Sequence, residues 1–366
     1  MRQVLCFLFL SLGSITFCQN DCAQEREEYL DKQKKSEAFK NYNQAKKVNS
    51  KDPNYIKSLE TRNTYGWIFA TPEDLSKDIK LLLETEPYQA ESSYLTVVRP
   101  SSYPPCVWPY FYEKAEVLLT LFDSTSAAYR EVLSFKIFLN VMMRNDALAA
   151  EQFPELIKLF TPDSDAHTSM IQWYGISLNR SGNYLKAIEI YQEAYKNSKA
   201  TILFLNLLSI YYVHDMYAEI RMYEADISSD TVGASWFYLA YAQLKNEDTL
   251  NAKIHFDKLI SKLTFTEYST VELRSGMNVF PMDSKRIEII ADFYYALEMA
   301  IACKFYRAIP NLLINEKREI EYRKTKIKEE VITDETREIL LKKIESEQEE
   351  ERNRAKQLET KLNRCN

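Results

Sequence analysis

The stretch 171–195, IQWYGISLNRSGNYLKAIEIYQEAY, constrains this chain more than any other. It reads as two amphipathic helices joined by the turn Asn179-Arg180-Ser181-Gly182-Asn183. Gly175, Ala187 and Ala194 are small where two antiparallel helices must approach closely. Ile171, Tyr174, Tyr184 and Tyr191 are large where side chains must wedge between neighbours. The pattern recurs downstream: Trp236, Leu239, Ala240, Ala252 and Phe256 take the places of Ile171, Tyr174, Gly175, Ala187 and Tyr191. The interval from Ala240 to Ala252 equals that from Gly175 to Ala187. Between these copies, residues 202–226 supply a shorter pair, with Leu205, Leu208 and Tyr212 on one helix and Tyr217, Ile220 and Tyr223 on the next. The two clear copies are offset by three residues fewer than two periods of ~34, so the middle pair must be trimmed.

Over residues 168–263 this pattern resembles the tetratricopeptide repeat (TPR), a helix–turn–helix unit of ~34 residues that stacks into a solenoid. The resemblance implies an all-α solenoid of antiparallel helix pairs. In that family the first helices of successive repeats line a concave groove that receives extended peptides. By position, the groove here would present Gln172, Asn179, Arg180, Asn206, His214, Phe237, Tyr241 and Lys245. Their amides and cations suit a peptide backbone or a carboxylate. The two-carboxylate-clamp pattern of cytosolic chaperone-binding repeats is not reproduced. Residues 36–45 look like the second helix of a further repeat, because Ala38, Tyr42 and Ala45 keep the mutual spacing of Ala187, Tyr191 and Ala194. A scaffold of this kind implies a protein or peptide partner without naming it.

Composition supports the helical reading. With 6 Gly and 11 Pro in 366 residues, the chain lacks the turns of a β-sandwich or barrel, and its length suits two or three units. Its 25 Tyr and 18 Phe suit wedges between helices. A formal charge of -6 recommends no nucleic-acid partner.

Arg2 precedes the apolar run Val4-Leu5-Cys6-Phe7-Leu8-Phe9-Leu10, which is too short for a comfortable membrane span. Residues 1–18 therefore read as a secretory signal peptide, with the mature chain starting near Gln19 and lacking a transmembrane helix. Lipid attachment at Cys18 competes, but bulky Phe17 is wrong before a lipidated cysteine. The expected location is periplasmic or secreted. There, Cys22, Cys106, Cys303 and Cys365 allow two disulfides in three pairings. Cys303 also fits a buried free thiol, and Cys365 a cross-link between two chains.

The remaining organisation follows from breakers and charge. Thr71-Pro72-Glu73-Asp74 is a helix start. Residues 91–109 form a Pro- and aromatic-rich loop, followed by helices at 110–122, 126–143 and 154–160. Thr161-Pro162-Asp163-Ser164-Asp165 marks an internal boundary, which gives an N-terminal helical region of 19–163 and repeats over 164–312. Asp283-Ser284 should cap a single apolar helix over 287–302. Residues 313–366 form a charged helical tail of one or two long solvated helices. It is a possible site of oligomerisation, although no sustained heptad repeat supports a coiled coil.

Chemistry-bearing motifs are scarce. Asp163-x-Asp165-x-His167 fails as a calcium loop, because Thr168 and Tyr174 stand where a glycine and an acid are required. His167, His214 and His255 are scattered, and no Gly-rich phosphate loop exists. We therefore expect no cofactor, no metal and no enzyme. The rival function is glycan or small-ligand binding by the loop aromatics Tyr103, Trp108, Tyr110 and Tyr112. The alternative for these four is that they tuck against the helices.

Overall fold

Six of the helices begin where the sequence supplies a side-chain oxygen. In the computed structural model, which describes residues 19–85, 107–162, 164–229, 233–265, 271–275, 278–329 and 334–365, Ser36, Ser126 and Ser164 each accept the N–H three positions on, at 3.3, 3.1 and 3.1 Å. Thr71, Asp248 and Asp283 do the same for Asp74, Asn251 and Arg286. Each bond satisfies an amide that no helical carbonyl can reach. The start expected at 161–165 is thus made by Ser164, with Asp165 set against the positive helix end. The signal segment 1–18 and loop residues 91–106, including Tyr103 and Cys106, lie outside the described residues.

Two compact units result, one ending at Ala187 and the next beginning at Ile188. The first contains α1 (Gln19–Gln33), α2 (Glu37–Lys46), α3 (Tyr55–Phe69), α4 (Pro72–Thr85), α5 (Trp108–Leu119), α6 (Ala127–Met142), α7 (Asp146–Ile157) and α8 (Asp165–Arg180). From α2 onward each helix packs on the next. Trp67, Leu75, Ile79, Phe111, Ala115 and Leu118 form one core, and Leu133, Ile137, Ala149, Phe153 and Leu156 another. The boundary expected at 163 falls between α7 and α8, inside this unit.

α9 (Tyr184–Ser198) leads into the second unit. It continues as α10 (Thr201–Val213), α11 (Tyr217–Arg221), α12 (Glu224–Ser228), α13 (Ala234–Lys245) and α14 (Thr249–Ile260). The middle pair is indeed short in its second half, where two five-residue helices stand in place of one. An indole bond from Trp236 Nε1 to the Ile227 carbonyl, 3.0 Å, ties α12 to α13.

One turn geometry recurs four times. Arg144, Gly182, Asp215 and Glu247 have φ of 63°, 89°, 56° and 63°. At each, the amide of the next residue returns to a carbonyl five positions back: Asn145 to Asn140, Asn183 to Leu178, Met216 to Tyr211 and Asp248 to Gln243, at 2.8, 2.8, 2.8 and 2.9 Å. Across each turn two buried residues stand twelve apart: Ile137 and Ala149, Gly175 and Ala187, Leu208 and Ile220, Ala240 and Ala252. The chain is all-α and built of antiparallel helix pairs. α6 and α7 form a pair that the sequence pattern did not reveal.

Two features depart from expectation. A three-stranded antiparallel sheet follows α14, with β1 (Leu263–Phe265), β2 (Val271–Ser275) and β3 (Asn278–Pro281) paired in order, Leu263 opposite Leu273 and Leu273 opposite Phe280. In addition, the helix expected over 287–302 is two helices, α15 (Ser284–Tyr295) and the start of α16 (Met299–Glu329). Glu298 would interrupt the apolar stripe of a continuous helix. The reversal lets Tyr294 and Ile290 on one side, and Phe305 and Ile309 on the other, all be buried.

The charged tail is a hairpin. α17 (Asp334–Asn363) runs back along α16, so that Ile320 packs on Ile344 and Cys303 bonds to Cys365 with Cα atoms 5.5 Å apart. Two expectations are thereby corrected. Cys303 is not a free thiol, and Cys365 is used within its own chain rather than between chains, because the return of α17 places its last turn beside the first turn of α16.

The turns generate a prediction of opposite signs. A Cβ at Gly182 would meet no atom within 4 Å, so Gly182→Ala costs only the left-handed backbone, about 1 kcal/mol. Glu247→Gly should relieve the same strain and leave stability equal or up to about 1 kcal/mol higher. Urea denaturation of both variants checks this, and equal losses would refute the turn argument.

Candidate functional site

The residues expected in the groove separate into two sets. Gln172, Asn179 and Arg180 belong to α8 in the first unit, whereas Asn206, His214, Phe237, Tyr241 and Lys245 belong to the second. In the first set, Arg180 is half-buried and its charge is paired within the unit. The guanidinium of Arg180 lies 3.9 Å from the carboxylate of Asp146, which also pairs with Arg144 at 3.1 Å. The Asn179 carbonyl accepts the turn amide of Gly182 at 3.1 Å, and Gln172 is half-buried.

The second set contributes to an aromatic cluster. Phe237 and Tyr241, one helical turn apart on α13, are nearly parallel, with ring centres 6.1 Å apart. Tyr212 of α10 meets Phe237, Tyr238 and Tyr241 edge-on at 5.6, 5.8 and 5.2 Å. Tyr217 of α11 meets Tyr241 at 5.6 Å, and Lys245 lies 5.2 Å from the Tyr241 ring centre. Edge-to-face geometry sets the positive ring edge against the negative face, worth about 1 kcal/mol beyond burial. Phe237 is buried and is therefore a floor rather than a contact surface. Tyr212, Tyr217 and Tyr241 are half-exposed, and His214 and Lys245 are exposed. Asn206 is half-buried, with its amide nitrogen unpartnered among the described residues.

Arg286 of α15, which the sequence reading missed, anchors this cluster. Its guanidinium lies 5.6 and 5.4 Å from the Phe237 and Tyr238 ring centres. It donates to the Tyr238 hydroxyl at 2.9 Å and pairs with Asp283 at 3.4 Å. Burial opposes its charge, but Tyr238, Asp283 and Tyr212 outweigh that and raise its pKa, so it stays protonated. Its Nε is buried without a partner among the described residues. Burial first, then the negative charge of neighbouring groups, pushes the Tyr212 hydroxyl up to about 12. The Tyr217 hydroxyl donates to Asp215 and is likewise raised, chiefly by burial. Tyr212 and Tyr217 are therefore neutral hydrogen-bonding groups at physiological pH, arranged near one fixed cation. No local motif announces Arg286, because its partners come from a helix 48 residues earlier.

The loop aromatics lie elsewhere. Trp108 is core, 2% exposed. The Tyr110 hydroxyl donates to the Ala70 carbonyl, and Tyr112 carries Lys136 over its ring at 5.2 Å. These three tuck against helices, as the packed alternative had it. Beneath them is Lys114, fully buried, whose Nζ donates to the carbonyls of Gly66 and Trp67 at 2.9 and 2.6 Å and lies 3.8 Å from the Tyr110 ring centre. Burial pulls its pKa down to about 6, against the charge of Glu113. His255 is packing too: its Nδ1 sits 3.0 Å from both the Gln243 side-chain oxygen and the Asn251 carbonyl. A shallow cleft of about 390 Å³ beside Lys77, Lys80 and Val117 includes none of the expected site residues.

No protein-family model matches the chain, and no curated protein matches it by sequence. Functional argument therefore rests on the geometry.

Lys114 makes stability depend on pH. Its unfolded value is 10.5 and its folded value about 6, so between these the unfolded chain holds a proton that the folded chain lacks. The fold thus gains stability as pH rises through that window and loses it as pH falls toward 6. Lys114→Met should flatten this slope, read as denaturation midpoints at about pH 6.5 and about pH 9.5. Parallel slopes in wild type and variant would show that the folded lysine keeps its proton.

Proposed function

We propose that this chain is an exported helical-repeat scaffold of TPR type that holds an extended protein or peptide segment at the Tyr212–Tyr217–Tyr241–Lys245 surface. The observation that carries this reading is the clustering of half-exposed tyrosines on α10, α11 and α13 around the half-buried Arg286. Rigid aromatic faces with polar tips gain contact area at small entropic cost, which is why they dominate hot spots. Tyrosine hydroxyls and the exposed Lys245 side chain suit peptide carbonyls and a carboxylate. The repeated helix pairs supply a rigid support, as binding sites require. The Cys303–Cys365 bond supports export, because such bonds persist in oxidising compartments. With the apolar leader at 4–10, it favours the cell envelope as the site of action.

The test is cross-linking and pull-down of the tagged mature chain from envelope extract of its own host. Tyr241→Ala combined with Lys245→Ala should lower capture of a reproducible partner at least tenfold, with the helical circular-dichroism spectrum unchanged. A partner captured equally well by the double variant, or no partner at all, would overturn the reading. Arg180 is unsuitable for this test because its pairing with Asp146 makes it part of the fold.

A further inference from the structure

The side of α15 that faces α17 is both acidic and aromatic. Glu288, Asp292 and Tyr295 lie on it, joined by Tyr306 of α16, whose hydroxyl donates to Asp292 at 2.6 Å. Three basic side chains of the returning tail occupy it. Arg354 donates to Glu288 at 3.0 Å and to the Ser284 hydroxyl at 2.8 Å. Lys361 lies 2.6 Å from Asp292, 3.6 Å from Glu288 and 5.4 Å from the Tyr306 ring centre. Arg364 donates to the Tyr295 hydroxyl and sits 5.7 Å from its ring centre. Carboxylates beside tyrosine faces select cations, and the tail meets them with Arg354 and Lys361, two turns apart on α17, and with Arg364 just past its end, so the matching ligand is a helical segment carrying cations at that spacing.

Most of the described contacts of α17 are polar. Among its described side chains only Ile344, Gln348 and Leu358 are buried, and Gln348 is polar, bonded to Glu321 and Lys324 at 2.7 and 2.9 Å. Its ion pairs range from the largely buried Arg354–Glu288, 15% exposed on both sides, to the exposed Lys285–Glu350, and the exposed ones hold weakly and weaken further with salt. The strongest restraint is covalent, and it sits at the free end of the helix.

We infer that α17 is a redox-latched strap, held by Cys303–Cys365 over a docking face for a basic helix. A dithiol reductant opens it. One reductant thiolate attacks Sγ of Cys365, and the Cys303 sulfur leaves as a thiolate and is protonated. The second reductant thiol then displaces Cys365 and closes the reductant's own disulfide. Two electrons pass from the reductant to the cystine, leaving two protein thiols. With the latch open, Glu288, Asp292, Tyr295 and Tyr306 are uncovered for a basic helix of a partner. This inference uses α15 to α17 and stands apart from the tyrosine surface proposed above.

Hydrogen exchange of the full mature chain tests the latch, comparing the oxidised form, the form reduced with dithiothreitol, and the Cys303→Ser/Cys365→Ser variant. Amides of α17 should exchange at least tenfold faster in the reduced form and in the variant, with α13 and α14 unchanged. Unchanged α17 would overturn the latch. Joint loss in α13 and α14 would also overturn it, because the bond would then be a staple for the whole unit. A fluorescent peptide copying residues 334–364 tests the face. It should bind the reduced chain and not the oxidised one, and Glu288→Gln/Asp292→Asn should abolish that binding. Equal binding to both forms, or none to the reduced form, would overturn the docking face. If the double-serine variant fails to fold, the reduced wild-type chain still decides.

Discussion

One backbone hydrogen bond, made four times, governs the helix pairs. The carbonyls of Asn140, Leu178, Tyr211 and Gln243 each accept an amide from beyond the turn, which forces the intervening residue to positive φ. The helix then reverses within three residues, and positions twelve apart face one another and are buried. Magnitudes decide why the turn residue varies so freely. A non-glycine residue in the left-handed region costs about 1–2 kcal/mol. Fully burying a side chain such as Leu208 or Ile220 returns about 1.5–3 kcal/mol each. Burial wins, so Arg144, Asp215 and Glu247 serve where Gly182 does, and a chain with 6 glycines still makes its reversals.

The same close approach dictates where charge is admitted. Gly66 lets α4 come so near α3 that a Cβ there would stand 2.7 Å from Leu75 Cδ1. Beside it Arg62 pairs with Asp78, which is 1% exposed. Burial raises the Asp78 carboxyl and Arg62 pulls it back. Such a pair adds little net stability, but losing one partner leaves a charge without solvent, so it enforces one arrangement of α3 and α4. Lys114 meets the same problem differently. Among the described residues no carboxylate bonds it; burial favours its neutral form, and Nζ donates to two carbonyls near the end of α3 beside the face of Tyr110. Arg286 is the third solution, a guanidinium laid on rings.

The repeated helix pairs were legible where they used size. Gly175 with Ala187 and Ala240 with Ala252 are conspicuous because small residues mark close contact in any sequence. The pair α6–α7 uses Ile137 against Ala149 and turns at Arg144, so neither a small pair nor a glycine signals it. Thr71 and Ser164 were readable as caps because capping is local. What depends on distant contacts was not readable. Trp108 and Phe237 look like contact aromatics until the helices that cover them are placed. The Cys303–Cys365 pairing exists only because α17 returns along α16. Arg286 gains its role from Tyr238, on another helix. The strands alternate buried Val271 and Leu273 with Glu272, but five residues are too few to stand out beside long helices.

Two kinds of interface thus coexist within the second unit, and their chemistry separates permanent contacts from exchangeable ones. α13 and α14 meet through Leu239, Ala240, Ala252, Phe256 and Leu259, all fully buried. Opening that contact would expose apolar surface at about 25 cal/mol per Å², with nothing in water to replace it. Among the described residues, α17 meets its neighbours largely through arginine, lysine, glutamine and carboxylates, which water and salt can satisfy once they separate. A polar seam also specifies register, because Gln348 finds both Glu321 and Lys324 only in one alignment. A contact that is specific, weak and closed by a single covalent bond is suited to being opened as a unit, while the apolar core beneath it stays intact.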